Sequence, residues 1–298
     1  MDLQLDQLRA LNAAVTEGTF DAAARSLRVT PSAISQRIKA LEDAAGRILL
    51  QRTKPVRATE SGLAVLRLAR QIELLAGDTA RELGDTGQEP TIDRPIRLPI
   101  AVNADSLETW VMPALSRASS GVCFEIHRED EEHTTRLLRD GTVMAAITAT
   151  AAAVQGCKVE RLGAMRYRPM ANPDFARTWF GDGATAKTYA AAPVVLFDRK
   201  DDLQDRHMRR RSRQPIDPPR HYIPSSTGFG DAVRIGLGWG MLPDLQTRAD
   251  QAAGRLVPID GDSYIDVPLY WQQWRLESPA LSGIATAIAA AAADALLR

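Results

Sequence analysis

The chain has 298 residues, 45% hydrophobic and 25% charged, which allows more than one packed core and excludes a disordered or fibrous sequence. Its formal net charge is zero, so bulk charge singles out no nucleic-acid, membrane or acidic partner. Cys123 and Cys157 lie far apart without metal-ligand spacing, which argues against a disulfide scaffold or a thiolate metal site.

The opening MDLQLDQLRAL has no basic segment leading into an apolar one, and no apolar run reaches membrane-spanning length. A cytoplasmic protein with no membrane partner is expected. Leu5, Leu8, Leu11 and Val15 recur at helical spacing up to Gly18. Thr19 can cap a second short helix carrying Ala22, Ala23 and Leu27. After a tight turn, Thr30 is a good N-cap, and Pro31 suits the first helical position because its missing N–H has no helical partner there. Ile34, Ile38 and Leu41 form one apolar stripe, leaving Ser32, Ser35, Gln36 and Lys39 on other faces. Past Gly46, RILLQRTKPVRAT reads as a short strand, a basic turn and a return strand.

Helix, turn, polar-faced helix and basic hairpin together predict a winged helix-turn-helix over residues 1–60. Locally the charge is one-sided: Arg25, Arg28, Arg37, Lys39, Arg47, Arg52, Lys54 and Arg57 face only Glu42 and Asp43. That favours phosphates over a plain helical bundle. Double-stranded DNA is the expected partner. Pro31, Ser32, Ser35 and Gln36 approach bases, and Arg37, Lys39, Arg52 and Lys54 approach phosphates.

The run GTFDAAARSLRVTPSAISQRIKALEDAAGRILLQR, followed by ATESG, resembles the N-terminal domain of LysR-type transcriptional regulators. The resemblance implies promoter binding, RNA polymerase as a partner, and assembly as a homodimer or tetramer. From Ser61 to about Leu83, Val65, Leu68, Ile72 and Leu75 recur near heptad spacing. This predicts a linker helix over 61–94, ending in a polar hinge from Gly84, with Leu68, Ile72 and Leu75 at a dimer seam.

Beyond residue 95, strand-like and helical segments alternate, which predicts an α/β domain. Asp105-Ser106-Leu107-Glu108 reads as a capping box. The resemblance implies a periplasmic-binding-protein-like effector domain, with subdomain I at 95–165 and 270–298 and subdomain II at 166–269. AVNADSLETW, APVVLFD with Asp201-Asp202-Leu203-Gln204, SSTGF, GLGWGMLP and YWQQWRLES are similar to the ArgP/LysG branch, whose members respond to lysine and arginine. L-lysine or L-arginine is therefore the implied effector, with export or metabolism of basic amino acids under control.

Such a ligand needs helix N-termini for its carboxylate and carboxylates or aromatic faces for its cations. Asn103, Asp105, Ser106, Thr148, Ser225 and Ser226 are the candidates at helix starts and strand ends. Glu129, Asp130, Asp198, Phe229, Trp271 and Trp274 are the candidate acidic and aromatic wall. No cofactor or metal is expected, and neither is catalysis. Gly236 to Gly240 lacks dinucleotide spacing, SSTGFG is no nucleophile elbow, and no nucleophile flanks His127, His133, His207 or His221. A nucleoid or replication-origin DNA-binding protein with a secondary ligand response is the alternative, as is a regulator with another effector.

Overall fold

A computed structural model describes residues 3–84, 95–118, 121–128, 131–212 and 214–298. The chain opens with α1 (Leu5–Thr16), α2 (Phe20–Leu27) and α3 (Pro31–Ala45). Thr19 and Thr30 cap the last two, accepting from the Ala22 and Ala33 N–H groups at 3.1 and 3.2 Å. Ile34, Ile38 and Leu41 are buried against Leu8, Leu11, Ala23 and Ala24, whose small side chains let the helices approach. Gly46 ends α3 in the left-handed region at φ 63°.

The hairpin is shorter than its sequence implied. Strands β1 (Leu50–Gln51) and β2 (Arg57–Ala58) pair over Leu50↔Ala58 and Gln51↔Arg57. The reason lies in Glu42, whose Oε1 takes the Leu49 and Leu50 N–H groups at 2.8 and 3.3 Å before a ladder can use them. Next comes α4 (Glu60–Gly84), in which a Cβ on Gly62 would lie 1.9 Å from the Leu49 carbonyl oxygen. Only glycine permits that crossing. Val65, Leu66 and Ala69 of α4 complete the first core, while Leu74 enters the second. The hinge expected at 84–95 falls almost wholly outside the described residues.

The second part begins with β3 (Ile96–Val102), then α5 (Ala104–Ser106), which continues through a π-turn (Leu107–Val111) into α6 (Met112–Arg117). Strands β4 (Val122–Arg128) and β5 (Ala145–Thr148) flank β3 in parallel, with α7 (Glu131–Arg139) between them in sequence. The long β6 (Cys157–Ala171) then carries the chain into a second lobe. That lobe holds α8 (Pro173–Phe180), α9 (Ala186–Ala191), β7 (Val194–Leu196), α10 (Leu203–Arg209), β8 (Arg220–Tyr222) and α11 (Ser226–Arg234). It closes with β9 (Gly240–Pro243), α12 (Asp244–Ala252) and β10 (Val257–Pro258), both strands pairing with the end of β6. Strand β11 (Ile265–Trp274) returns antiparallel to β6, and α13 (Pro279–Ala295) packs back on the first lobe. The described strands of the main sheet number seven, in the order β10-β6-β11-β5-β3-β4 with β9 on β6.

The expected capping box at Asp105 is replaced by a cap two residues earlier. Asn103 Oδ1 accepts the Ser106 N–H at 3.1 Å, which leaves the Asp105 carboxylate free to reach elsewhere. Among the described residues, no helix is long and apolar enough to cross a membrane.

The second lobe is centred on a polar knot. Tyr189 Oη lies 2.8 Å from His207 Nε2 and donates to Asp260 at 3.1 Å, and Trp239 stacks edge-on against both rings. Burial pushes His207 well below the ordinary histidine range, so the fold holds the neutral ring. The unfolded chain protonates it below about pH 6.5, so stability is lost as pH falls from there towards the depressed folded value. We expect the urea midpoint to drop between about pH 7 and 5, with this group contributing at most about 1.4 kcal/mol per pH unit. His207→Gln should show a smaller drop over the same range. An identical pH profile in the two proteins would show that the ring carries no such linkage.

Candidate functional site

The first site is the outward face of the helix-turn-helix. Because the apolar stripe of α3 is buried, Pro31, Ser32, Gln36 and Lys39 are exposed, with Ser35 and Arg37 half-buried beside them. Arg37 Nε lies 3.1 Å from Asp6 Oδ2 of α1. Arg52 and Lys54 are exposed on the hairpin, where the Arg52 guanidinium sits 5.8 Å over the Phe20 ring. The unit thus exposes both a polar helix face and a cationic hairpin.

The second site lies between the two lobes. A cavity of about 790 Å³ is lined by Asn103, Asp105, Asp198, Ser226 and Phe229 among the residues singled out above. The other candidates stand apart from it. Ser106 and Thr148 are buried, the latter accepting the Thr150 N–H at 3.1 Å, and Ser225 caps α11 through the Gly228 N–H. Trp271 and Trp274 are core residues: the first donates to Gln273 at 2.6 Å, and the second packs beneath Arg67. Neither lines the cavity; three residues apart on β11, they lie on opposite faces of the sheet. Glu129 and Asp130 lie outside the described residues.

Asp105 is the centre of the cleft. Its carboxylate accepts from Tyr167 Oη and Ser226 Oγ, each at 2.7 Å, joining the first lobe to β6 and to the start of α11. Burial raises its pKa, opposed by those two hydrogen bonds, and nearby Glu108 raises it further. Asp201 is a second half-buried carboxylate on the same cavity. It accepts the Phe197 and Leu203 N–H groups at 2.9 and 3.1 Å, and burial raises its pKa against those bonds, with the charge of Asp105 adding to the rise. Gln204 and Gln246 also line the cavity, and the Oε1 atoms of both are buried without a partner among the described residues. Arg128, Lys200 and Arg206 supply cations at its edges.

Sequence reasoning therefore missed Tyr167, Asp201, Gln204 and Gln246. The Asp201 to Gln204 segment was visible as a motif but had no assigned role. Tyr167 sits within an unbroken strand, where nothing local distinguishes it from a core residue.

A winged helix-turn-helix joined by a long helix to a two-lobed domain with a polar cleft defines a ligand-responsive DNA-binding protein. Residues 5–63 match the bacterial regulatory helix-turn-helix proteins of the lysR family, and residues 97–293 match the LysR substrate binding domain. The chain belongs to the LysR family and is a transcriptional regulator, not an enzyme. It is 42% identical to the lysine export transcriptional regulatory protein LysG of Corynebacterium glutamicum, over 99% of this chain and 98% of the relative. The crystal structure of ArgP from Mycobacterium tuberculosis superposes with a TM-score of 0.87 at 44% identity, covering 98% of each chain. Full-length Corynebacterium glutamicum LysG with bound effector Arg gives 0.78 at 40% identity, covering 99% of this chain and all of that one.

A carboxylate whose folded pKa is raised adds stability below its ordinary range and loses it as pH rises through the folded value. Asp105→Asn keeps an acceptor for one hydroxyl, offers an NH2 donor to the other, which can rotate to accept, and removes the charge. The effector-free variant should melt no lower than the parent at about pH 7, with its relative advantage shrinking towards about pH 4. Thermal melts across that range decide the matter. A large loss of stability at neutral pH would mean that the charge itself holds the lobes.

Proposed function

We propose that this regulator senses a basic amino acid, L-lysine or L-arginine, and controls export or metabolism of basic amino acids from promoter DNA. The observation that carries the reading is the cleft wall. Two half-buried carboxylates, Asp105 and Asp201, line one cavity together with Asp198, Gln204 and Gln246. Such a wall accepts hydrogen bonds and favours a ligand rich in donors and positive charge. The relatives named for lysine export and for bound Arg support the same ligand class.

In this reading, Asp105 takes the α-ammonium and the start of α11 at Ser226 takes the carboxylate, where free N–H groups and the helix dipole favour an anion. Asp201, Gln204 and Asp198 face the distal cation, and Asn103 and Phe229 bound the space. No cofactor enters the mechanism. Residues 1–60 bind DNA, 61–94 link and pair subunits, and 95–298 sense the effector through subdomains at 95–165 with 270–298 and at 166–269. Leu68 is exposed, and Ile72 and Leu75 are half-buried, so one edge of α4 remains to meet a second copy in a dimer or tetramer. The assembly works in the cytoplasm and meets RNA polymerase at the promoter. Effector binding acts by favouring one arrangement of lobes and subunits over another, which changes how paired wings sit on DNA.

Calorimetric titration of the full-length protein tests the ligand. Lysine or arginine should bind about tenfold or more tightly than alanine or glutamate, since alanine lacks a distal cation and glutamate meets carboxylates. Glutamate binding as tightly as lysine would sink the basic-effector reading.

The DNA face makes a separate expectation. Gln36→Ala should cost about 1–3 kcal/mol on the operator and relax preference at one position per half-site. Arg52→Ala should weaken all sequences alike and flatten the salt dependence by roughly one unit of slope. Binding assays on operator and random duplexes at several salt concentrations separate the two. Indistinguishable effects on both duplexes would refute the division of roles.

A further inference from the structure

Two hydrogen bonds join the first lobe to the start of α11. Ser226 Oγ donates to Asp105 Oδ1 at 2.7 Å, and Thr227 Oγ1 donates to Glu108 Oε2 at 3.0 Å. Asp105 and Ser226 line the cavity, whereas Glu108 and Thr227 are exposed and do not. The lobes thus offer each other what a zwitterion would need from both: an acceptor for an ammonium and a donor for a carboxylate. A free amino acid carries those groups on one carbon and could satisfy both partners together. It cannot do so while Ser226 Oγ donates to Asp105, because a hydroxyl has a single proton to give. Ser226 must release Asp105, and movement of that helical turn to meet the ligand would also draw Thr227, the next residue, from Glu108.

We propose that the Asp105–Ser226 and Glu108–Thr227 bonds form a clasp that holds the effector-free lobes together and competes with the effector for the cleft. This rests on the reading of the effector as an amino acid bound between the lobes. Clasped protein is not competent to bind, so the apparent dissociation constant exceeds the intrinsic one by the inverse of the unclasped fraction. Breaking the outer bond raises that fraction without touching the cavity. Thr227 and Glu108 therefore act against effector binding, opposite to any residue that contacts the ligand.

Thr227→Val and Glu108→Gln in the full-length protein test this, singly and combined, by titration with L-arginine and L-lysine. Hydrogen exchange of the amides at 227–230 is followed without effector. Both single variants should bind about two- to fivefold more tightly, and the double variant should bind no more tightly than either, because one bond is removed in all three. Exchange at the first turn of α11 should be faster in each. Unchanged or weaker binding in both single variants overturns the clasp, whatever the exchange shows. If the parent binds neither lysine nor arginine, the effector reading fails, and exchange alone then decides: faster supports the clasp, and unaltered exchange in both variants removes it.

Discussion

From Ile265↔Tyr167 to Trp274↔Cys157, β11 pairs with β6, and both sides of the cleft hang from that ladder. At one end β11 pairs with β5 and extends the parallel strands of the first lobe. At the other, the last residues of β6 take β9 and β10 instead. A register shift between Leu269 and Tyr270 marks the passage between them. Irregularity of this kind bends a strand and locally increases its twist. The lobes are therefore joined by two strands, and their closure has to be settled by contacts across the gap, of which Asp105 makes the central pair.

The first lobe is tied to the DNA-binding unit far more firmly. Arg70 of α4 donates to Asn12 of α1 at 3.1 Å and to the Gly141 carbonyl at 2.9 Å. Arg67 donates to the Arg139 carbonyl at 3.1 Å and covers the Trp274 ring. Asp78 is buried against Ser278, the cap of α13, and Gly77 leaves room for Ile96. Breaking the Ser278–Asp78 bond strands a buried polar group, which costs more than the bond contributes. Contacts of α4 thus join the helix-turn-helix to the first lobe. Among the described residues the second lobe has no comparable hydrogen bond to α4, so its position is the freer for a ligand to set.

What could be read from residues alone follows the range of the forces involved. The α3 start was legible because Thr30 and Pro31 act within one turn, and the stripe of Ile34, Ile38 and Leu41 is a local period. The strands β3, β4 and β11 were legible for the same reason. The cleft was legible only in part. Asp105 looked like a cap because its spacing to Glu108 fits one, yet Asn103 holds that position and frees Asp105 for a partner 121 residues away. Trp271 and Trp274 looked like an aromatic wall, but the face on which a strand places a side chain depends on its register in the sheet. Short helices such as α9, and polar ones such as α12, carried no strong apolar period to announce them. Asp201 and Gln204 gain meaning only once β7 and α10 fold them onto the cavity.

A charged cleft raises the question of how binding energy survives desolvation. Burying a carboxylate without donors costs several kcal/mol, which would consume much of the attraction of any cation that arrived later. Here Tyr167 and Ser226 satisfy Asp105, and the Phe197 and Leu203 amides satisfy Asp201. Part of the cost of withdrawing both groups from water is thus met during folding rather than during binding. A cationic ligand then gains contact with carboxylates already partly withdrawn from water, and its net affinity reflects that attraction less its own desolvation and the hydroxyl bonds it displaces. A neutral ligand gains little from the carboxylates, and an acidic one meets repulsion from them that Arg128, Lys200 and Arg206 on the same cavity offset only in part. Discrimination by charge accordingly needs no shape complementarity at the distal end of the cavity, which fits a site able to admit either an ammonium or a guanidinium.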